Sequence, residues 1–134
     1  MSGPFHSLSI SGSGLNTFQT WLDAIADNVA NVNTATSTEE EAFRERLVVV
    51  RPRVEDGRPS GVHPDRVELG DPEGLVVYNP DHPLADENGQ IRMPGFDLAQ
   101  QMANMLVAQR AYQANASAFR SAREAYQRAL EIGS

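Results

Sequence analysis

The sequence contains no cysteine, no lysine and no long apolar run. The absence of cysteine excludes disulfides, thiolate metal sites and thiol nucleophiles. No run of eighteen apolar residues is present, so no transmembrane helix is predicted. The first fifteen residues also lack the basic cluster and apolar core of a cleavable signal peptide. We therefore expect any export of the chain to use a route without such a signal.

Basic charge is scarce and acidic charge is concentrated in the middle of the chain. The net charge is −7, and all eleven basic residues are arginine. Residues 1–38 contribute −2, residues 39–96 contribute −6, and residues 97–134 contribute +1. Nucleic-acid binding depends largely on basic contacts to phosphate, so an acidic chain without a basic stripe is a poor candidate for it.

The patterns associated with chemistry are missing or incomplete. His6, His63 and His82 lie in flexible or turn-like contexts without the i, i+4 spacing of helical metal ligands, and they are interpreted as surface residues. The stretch 12–14 resembles the start of a phosphate loop but has no lysine after it. The stretch 86–89 lacks the first and last ligands of a calcium loop. We predict no catalytic residue, no cofactor and no metal site.

Two long helical patterns lie at opposite ends of the chain. The first runs from Leu15 to Thr34. The second runs from Asp97, a candidate N-cap, to Ile132, and Gly133 follows it. Each has an apolar stripe that needs another helix to cover it, so we expect the two to pair. The predicted seam comprises Leu15, Phe18, Leu22, Ile25, Val29, Val32, Leu98, Met102, Met105, Tyr112, Phe119, Tyr126 and Leu130.

The middle of the chain has the composition of short strands and turns. A β-branched run at 47–50 is typical of a strand, the stretches 67–69 and 75–78 are shorter candidates, and Gly and Pro mark the turns between them. The predicted fold class is α+β, in which the terminal helices form an antiparallel coiled coil and a small antiparallel β domain is inserted between them. The predicted domains are 1–36 with 97–134, and 37–96.

Two asparagines lie beside the first apolar stripe, where helix propensity does not favour them. Asn28 and Asn31 are neighbours at i, i+3. One interpretation is that they end and cap the helix. The other is that they face another chain, because an amide both donates and accepts hydrogen bonds. The segment before Leu15 also has two interpretations, as an inert flexible end or as a segment that becomes ordered on binding.

Motifs at both ends resemble a known family. The start, SISGSG followed by Asn28, Ala30, Asn31 and Thr34, resembles the N-terminal signature of bacterial flagellar axial proteins, and RAYQAN at 110–115 is similar to their C-terminal signature. The stretch from Leu75 to Met102 most closely resembles the proximal-rod members. The resemblance implies a structural subunit of the flagellar basal body that is exported uncleaved by the type III apparatus and assembles helically with other rod proteins in the cell envelope.

The resemblance also implies which residues contact neighbouring subunits. These assembly contacts would be Asn28, Asn31, Asn33, Thr34, Arg110 and Asn115. The alternative function is a cytoplasmic helical adaptor that dimerises through its heptad seams. Secretion separates the two, because an adaptor would stay in the cytosol as a closed oligomer.

Overall fold

A computed structural model describes residues 3–133 of the chain. Helix α1 (Pro4–Asn31) is followed by four strands and then by helix α2 (Leu98–Ile132). The strands are β1 (Arg46–Glu55), β2 (Arg58–Leu69), β3 (Leu75–Tyr78) and β4 (Gln90–Met93). The two long helices pack together, and the small β region lies between them in sequence. This arrangement confirms the predicted α+β class.

Helix α1 begins at Pro4, eleven residues earlier than the sequence pattern predicts. Proline suits the first helical turn, where its missing N–H has no intrahelical partner. Gly12 and Gly14 lie within α1 although glycine is a poor helix former, and side chains of α2 lie close to both. A Cβ at Gly12 would lie 3.6 Å from the Phe119 ring, and one at Gly14 would overlap the Asn115 side chain. Met1 and Ser2 of the predicted flexible end lie outside the described residues.

Contacts between the helices show that they run antiparallel. The rings of Phe5 and Tyr126 have centroids 5.9 Å apart. One heptad further along α1, Gly12 meets Phe119, which is one heptad back along α2. Matching seven-residue steps in opposite directions are the signature of an antiparallel pair with heptad spacing.

The ends of α2 largely follow the prediction. The Asp97 carboxylate accepts a hydrogen bond of 3.1 Å from the Ala99 N–H, as an N-cap does. Gln100 is at the spacing of a capping box, but in the described part of the chain its side chain is not bonded to the Asp97 N–H, and its amide nitrogen donates to Asn104 at 3.0 Å. Helix α2 ends at Ile132, and the Gly133 N–H still bonds to the Ala129 carbonyl.

The β region consists of two separate two-stranded sheets. Strands β1 and β2 are joined by Asp56 and Gly57, which both have positive φ, the requirement of a tight type I′ hairpin turn. The stretch 67–69, expected as a separate strand, is the end of β2. Strand β3 pairs antiparallel with β4, with Leu75 opposite Met93 and Tyr78 opposite Gln90.

The chain divides into two compact units. Unit 1 comprises Met1–Leu22, Val48–Arg66 and Leu106–Ser134, and unit 2 comprises Asp23–Leu47 and Val67–Met105. Each unit therefore contains part of both helices together with strand. The predicted boundaries at 36 and 97 instead separate helix from strand, and they stay a prediction.

The buried apolar core is small in both units. Ile25 is the largest fully buried side chain, and the other buried apolar residues of unit 2 are Ala24, Ala42 and Ile91. In unit 1, the buried apolar residues are Ala108 and Ala122. Among residues 3–133, no helix has the length and apolar character needed to cross a membrane.

Candidate assembly surfaces

A buried amide network connects three elements of unit 2. The Asn28 side chain donates to the Arg46 carbonyl at 3.1 Å and accepts from the Arg46 N–H at 2.8 Å. Its amide nitrogen also donates to the Gln101 side chain at 3.0 Å, and Gln101 in turn donates to Glu45 at 2.7 Å. Asn28 and Gln101 are each only 1% exposed. The network therefore joins α1, the start of β1 and α2 around fully satisfied polar groups.

This network corrects the prediction that Asn28 contacts another chain. The Asn28 side chain pairs with both main-chain groups of Arg46, as a neighbouring strand would, and no face of it is left for a partner. Helical spacing could not show this, because the partner is main chain on an element 18 residues away.

The other predicted assembly contacts lie nearer the surface. Asn31 ends α1 as the capping interpretation predicts, since it donates to the Asp27 carbonyl at 2.9 Å and accepts from the Thr34 hydroxyl at 3.2 Å. Asn33, Thr34 and Arg110 are exposed. Asn115 is half-buried, and its amide donates to the Ala111 carbonyl at 2.9 Å. For these five residues, the assembly role stays a prediction.

The predicted seam is only partly buried. Ile25 is buried as expected, but Leu98, Met102 and Leu130 are exposed, and their assignment to a buried seam is wrong. The remaining members are half-buried: Leu15, Phe18, Leu22, Val29, Val32, Met105, Tyr112, Phe119 and Tyr126.

Small and amide side chains occupy the buried line of α2. Gln101, Ala108 and Ala122 are buried, and Asn115, at the heptad position between the last two, is half-buried. Small side chains let two helices pack closely, and the α2 side chains of Phe119 and Asn115 lie against Gly12 and Gly14 of α1. The larger apolar side chains are consequently displaced from the buried line of α2. The seven-residue spacing of these small and amide residues is the sequence signal that identifies the buried line of α2.

An apolar groove lies in unit 1 between α1 and the β1–β2 hairpin, and we call it the α1–hairpin groove. Its volume is about 520 Å³, within the range of roughly 300–1,000 Å³ typical of ligand pockets. Its lining consists of Ile10, Gly14, Thr17, Phe18, Trp21, Val48, Val50, Gly61, Val62 and Asn115. The hairpin is attached to α1 by the Ser13 hydroxyl, which accepts from the Val62 N–H at 3.1 Å. The groove could not be predicted from the sequence, because it depends on where the hairpin folds.

Strand β3 gives unit 2 an exposed apolar surface. All four of its side chains, Leu75, Val76, Val77 and Tyr78, are exposed, and Tyr78 is 75% exposed. Strand alternation normally buries one face of a strand, so a strand with both faces exposed is unusual in an isolated chain. Such a surface is typical of a contact with another molecule.

The loop between β3 and β4 is organised by Asp86. Its carboxylate accepts hydrogen bonds from the N–H groups of Gln90 and Asn88, at 2.9 Å each, and from the Thr38 hydroxyl at 2.9 Å. The backbone hydrogen bond from Gln90 is the main cause of a lowered pKa of Asp86, and the Thr38 and Asn88 bonds act in the same direction against partial desolvation. Asp86 thus holds the loop in place as a carboxylate.

Comparison with known protein families identifies both terminal segments. Residues 8–35 match the family model described as "Flagella basal body rod protein". Residues 87–132 match "Flagellar basal body rod FlgEFG protein C-terminal". The two matches cover most of α1 and all of α2, together with β4 and part of the loop before it.

Individual relatives extend the match over nearly the whole chain. The flagellar basal-body rod protein FlgC of Aquifex aeolicus is 34% identical, and the alignment covers 95% of each chain. The chain belongs to the FlgC family of flagellar basal-body rod proteins. FlgC of Salmonella typhimurium is 32% identical over 92% of this chain and 93% of its own, and FlgC of Borreliella burgdorferi is 28% identical over 97% of each. These FlgC matches also span β1 and β2, which carry none of the motifs on which the resemblance rests.

Family membership gives the described surfaces their context. FlgC proteins are basal-body rod components, so the chain is located in the flagellar basal body and assembles with other basal-body rod proteins. The exposed side chains of β3 and α2 and the α1–hairpin groove are therefore candidate contacts with neighbouring subunits. In the described part of the chain, no group of three or more histidine or carboxylate side chains is arranged to hold a metal ion.

Proposed function

We propose that this chain is a structural subunit of the proximal rod that assembles helically with its own copies and with other rod proteins, without catalysing a reaction. The observation that carries the proposal is the 34% identity to a FlgC protein over 95% of both chains. The matches at both helical ends support it, because the helices of this fold bury so little of their apolar surface within the chain.

The distribution of exposed apolar residues supports an assembled state. In unit 2, Leu98 and Met102 are exposed on α2, and in unit 1 Leu106, Val107 and Leu130 are exposed on the same helix. Exposed apolar surface of this extent is characteristic of proteins that bury it against a partner. Identical contacts repeated head to tail produce a helical array when the rotation between copies does not close a ring, and a helical array is the geometry a shaft requires.

We further propose that the chain is exported by the flagellar type III apparatus without cleavage of a signal peptide and crosses the periplasm as part of the rod. The low content of buried apolar residues supports this proposal, because a weakly stable chain is easily unfolded for threading. Intact-mass measurement of the subunit from purified basal bodies tests it. A mass that corresponds to removal of an N-terminal segment would contradict it.

Deletion of the gene followed by electron microscopy of basal bodies tests the structural role. We expect the deletion strain to lack the rod and to be non-motile. A plasmid copy of the gene should restore both the rod and motility. A matched strain that carries the tagged chain should show the tag in purified basal bodies. Intact rods in the deletion strain, or a tag confined to the cytosol, would instead favour the adaptor alternative.

A further inference from the structure

The α1–hairpin groove has one polar group that lacks a partner. Thr17 lines the groove and is 2% exposed, and its hydroxyl oxygen makes no hydrogen bond within residues 3–133. A buried hydroxyl without a partner costs free energy. The remaining lining is mainly apolar, from side chains such as Phe18, Trp21 and Val50. The best occupant is therefore an apolar side chain with a single hydroxyl, which describes tyrosine.

The charges of the two units indicate where such an occupant would come from. Unit 1 contains eight arginines and five carboxylates, a net charge of +3, whereas unit 2 contains three arginines and thirteen carboxylates, a net charge of −10. Opposite net charges favour an encounter between unit 1 of one copy and unit 2 of another.

Hydrogen bonds and ion pairs within each unit do not remove the charge complementarity between unit 1 of one copy and unit 2 of another. The three arginines of unit 2 are already bound within it, Arg44 to the Gly70 carbonyl, Arg46 to Asp27 and Arg92 to Glu73. In unit 1, the exposed side chains of Arg110, Arg120, Arg123 and Arg128 have no carboxylate partner in the described part of the chain.

Unit 2 presents a tyrosine that matches the groove. Tyr78 is the last residue of β3, is 75% exposed and follows three exposed apolar residues. Asp81, Asp86 and Glu87 lie close after it in sequence and give this end of unit 2 its negative charge. A tyrosine ring supplies the apolar body, and its hydroxyl supplies the hydrogen bond that Thr17 lacks.

We propose that Tyr78 of one copy inserts into the α1–hairpin groove of a second copy and bonds to Thr17, as acidic unit 2 docks against basic unit 1. The contact uses different surfaces on the two copies, so each bound copy still offers one groove and one Tyr78. Contacts of this kind propagate into an open array when the rotation between copies does not close a ring. The inference rests on the proposed rod function and adds the contact between neighbouring copies.

Cross-linking between two differently tagged copies tests the contact, because the chain has no cysteine of its own. One copy carries Asn79→Cys, which keeps Tyr78, and the other carries Val50→Cys in the groove. A short bis-maleimide should link them in assembled basal bodies. The matched control is Val54→Cys, which is exposed on the same strand but does not line the groove. At ~3.3 Å per residue it lies about 13 Å further along the strand.

The expected result is a mixed-tag dimer with Val50→Cys that is absent with Val54→Cys and is lost when Tyr78→Ala is added. Tyr78→Phe and Thr17→Val should each reduce the linked fraction by roughly two- to tenfold, and their combination should reduce it no further, since both remove the same hydrogen bond. Equal linking at positions 50 and 54, or links only within one copy, would overturn the inference.

Detection of the chain in basal bodies distinguishes a failure of this inference from a failure of the proposed function. If the tagged chain is found in basal bodies but the specific link is missing, the Tyr78 contact is wrong and the rod function stands. If the unmodified chain is missing from basal bodies, the rod function itself fails.

Discussion

The Asn28 side chain pairs with both main-chain groups of Arg46, as a neighbouring strand would. This pairing leads to a prediction at the scale of one residue. Asn28→Leu removes the hydrogen bonds to both main-chain groups of Arg46 and one bond to Gln101. We expect the free energy of unfolding to fall by about 2–4 kcal/mol, because buried polar groups lose their partners. Urea unfolding followed by circular dichroism measures the change.

The matched control for this variant is Asn31→Leu, three residues further along α1. Asn31 is half-buried, and among residues 3–133 its side chain bonds only to its own helix end and to Thr34, so its loss should cost less than about 1 kcal/mol. Equal destabilisation by the two variants would show that the amide network around Asn28 contributes no more to the free energy of unfolding than the hydrogen bonds of Asn31 at the end of α1.

The two glycines within α1 provide a second residue-scale prediction. Gly12→Ala places a methyl group in ordinary contact with Phe119, and we expect stabilisation of about 0.5–1 kcal/mol from the better helix propensity of alanine. Gly14→Ala instead forces the Asn115 side chain to move and break its bond to the Ala111 carbonyl. Thermal unfolding should therefore rank Gly12→Ala above wild type and Gly14→Ala below Gly12→Ala. If the two alanine variants have the same stability, the close approach of α2 at Gly14 is wrong.

At the scale of the element, the loop between β3 and β4 depends on an ionised Asp86. Because the folded-state pKa of Asp86 is lowered, its stabilising effect is complete above the ordinary carboxyl value of about 4 and is lost as pH falls through the lowered pKa. Thr38→Val removes one of the three donors and should raise the Asp86 pKa toward its ordinary value. An NMR titration of the Asp86 carboxyl group measures this.

Asp86→Asn is the control for the loop. It removes the charge, so the contribution of the Asp86 carboxylate to the loss of stability at low pH should disappear. The unfolding midpoints at pH 6 and pH 3 should therefore differ less in this variant than in wild type. An unchanged titration of Asp86 in Thr38→Val would show that the backbone donors alone lower its pKa.

The elements also show what the sequence can predict. Asp97, Gly133 and the β-branched run at 47–50 identify α2 and β1, because capping and strand propensity are local properties. The early start of α1 could not be predicted, because Gly12 and Gly14 lower the helix propensity of this segment and their contacts with Phe119 and Asn115 of α2 form only in the folded chain. Helical periodicity was read from the large apolar residues alone, so the predicted seam consists of large apolar residues. The buried residues of α2 are Ala108, Ala122 and Gln101 instead.

At the scale of the whole molecule, polar and small side chains occupy the places that large apolar ones fill in most domains. Among the described residues, the largest fully buried side chains are Ile25, Gln101, Asn28 and Thr17. Three of these four side chains are polar, so burial gives the isolated chain little hydrophobic stabilisation. Its exposed apolar side chains can contribute only when a neighbouring subunit covers them. Folding and assembly of this protein should therefore be thermodynamically linked.

This linkage leads to a prediction for the free chain. The described helices contain 28 and 35 residues, and we expect a dilute monomer to show less helix than these lengths require, with the missing helix at the chain ends. Helix content should rise with protein concentration or when other rod proteins are added, and protease cleavage near the ends should slow in parallel. Circular dichroism over a dilution series, with limited proteolysis of the same samples, measures both. Full helix content that persists on dilution and resists protease would show that the isolated chain is stable without its neighbours.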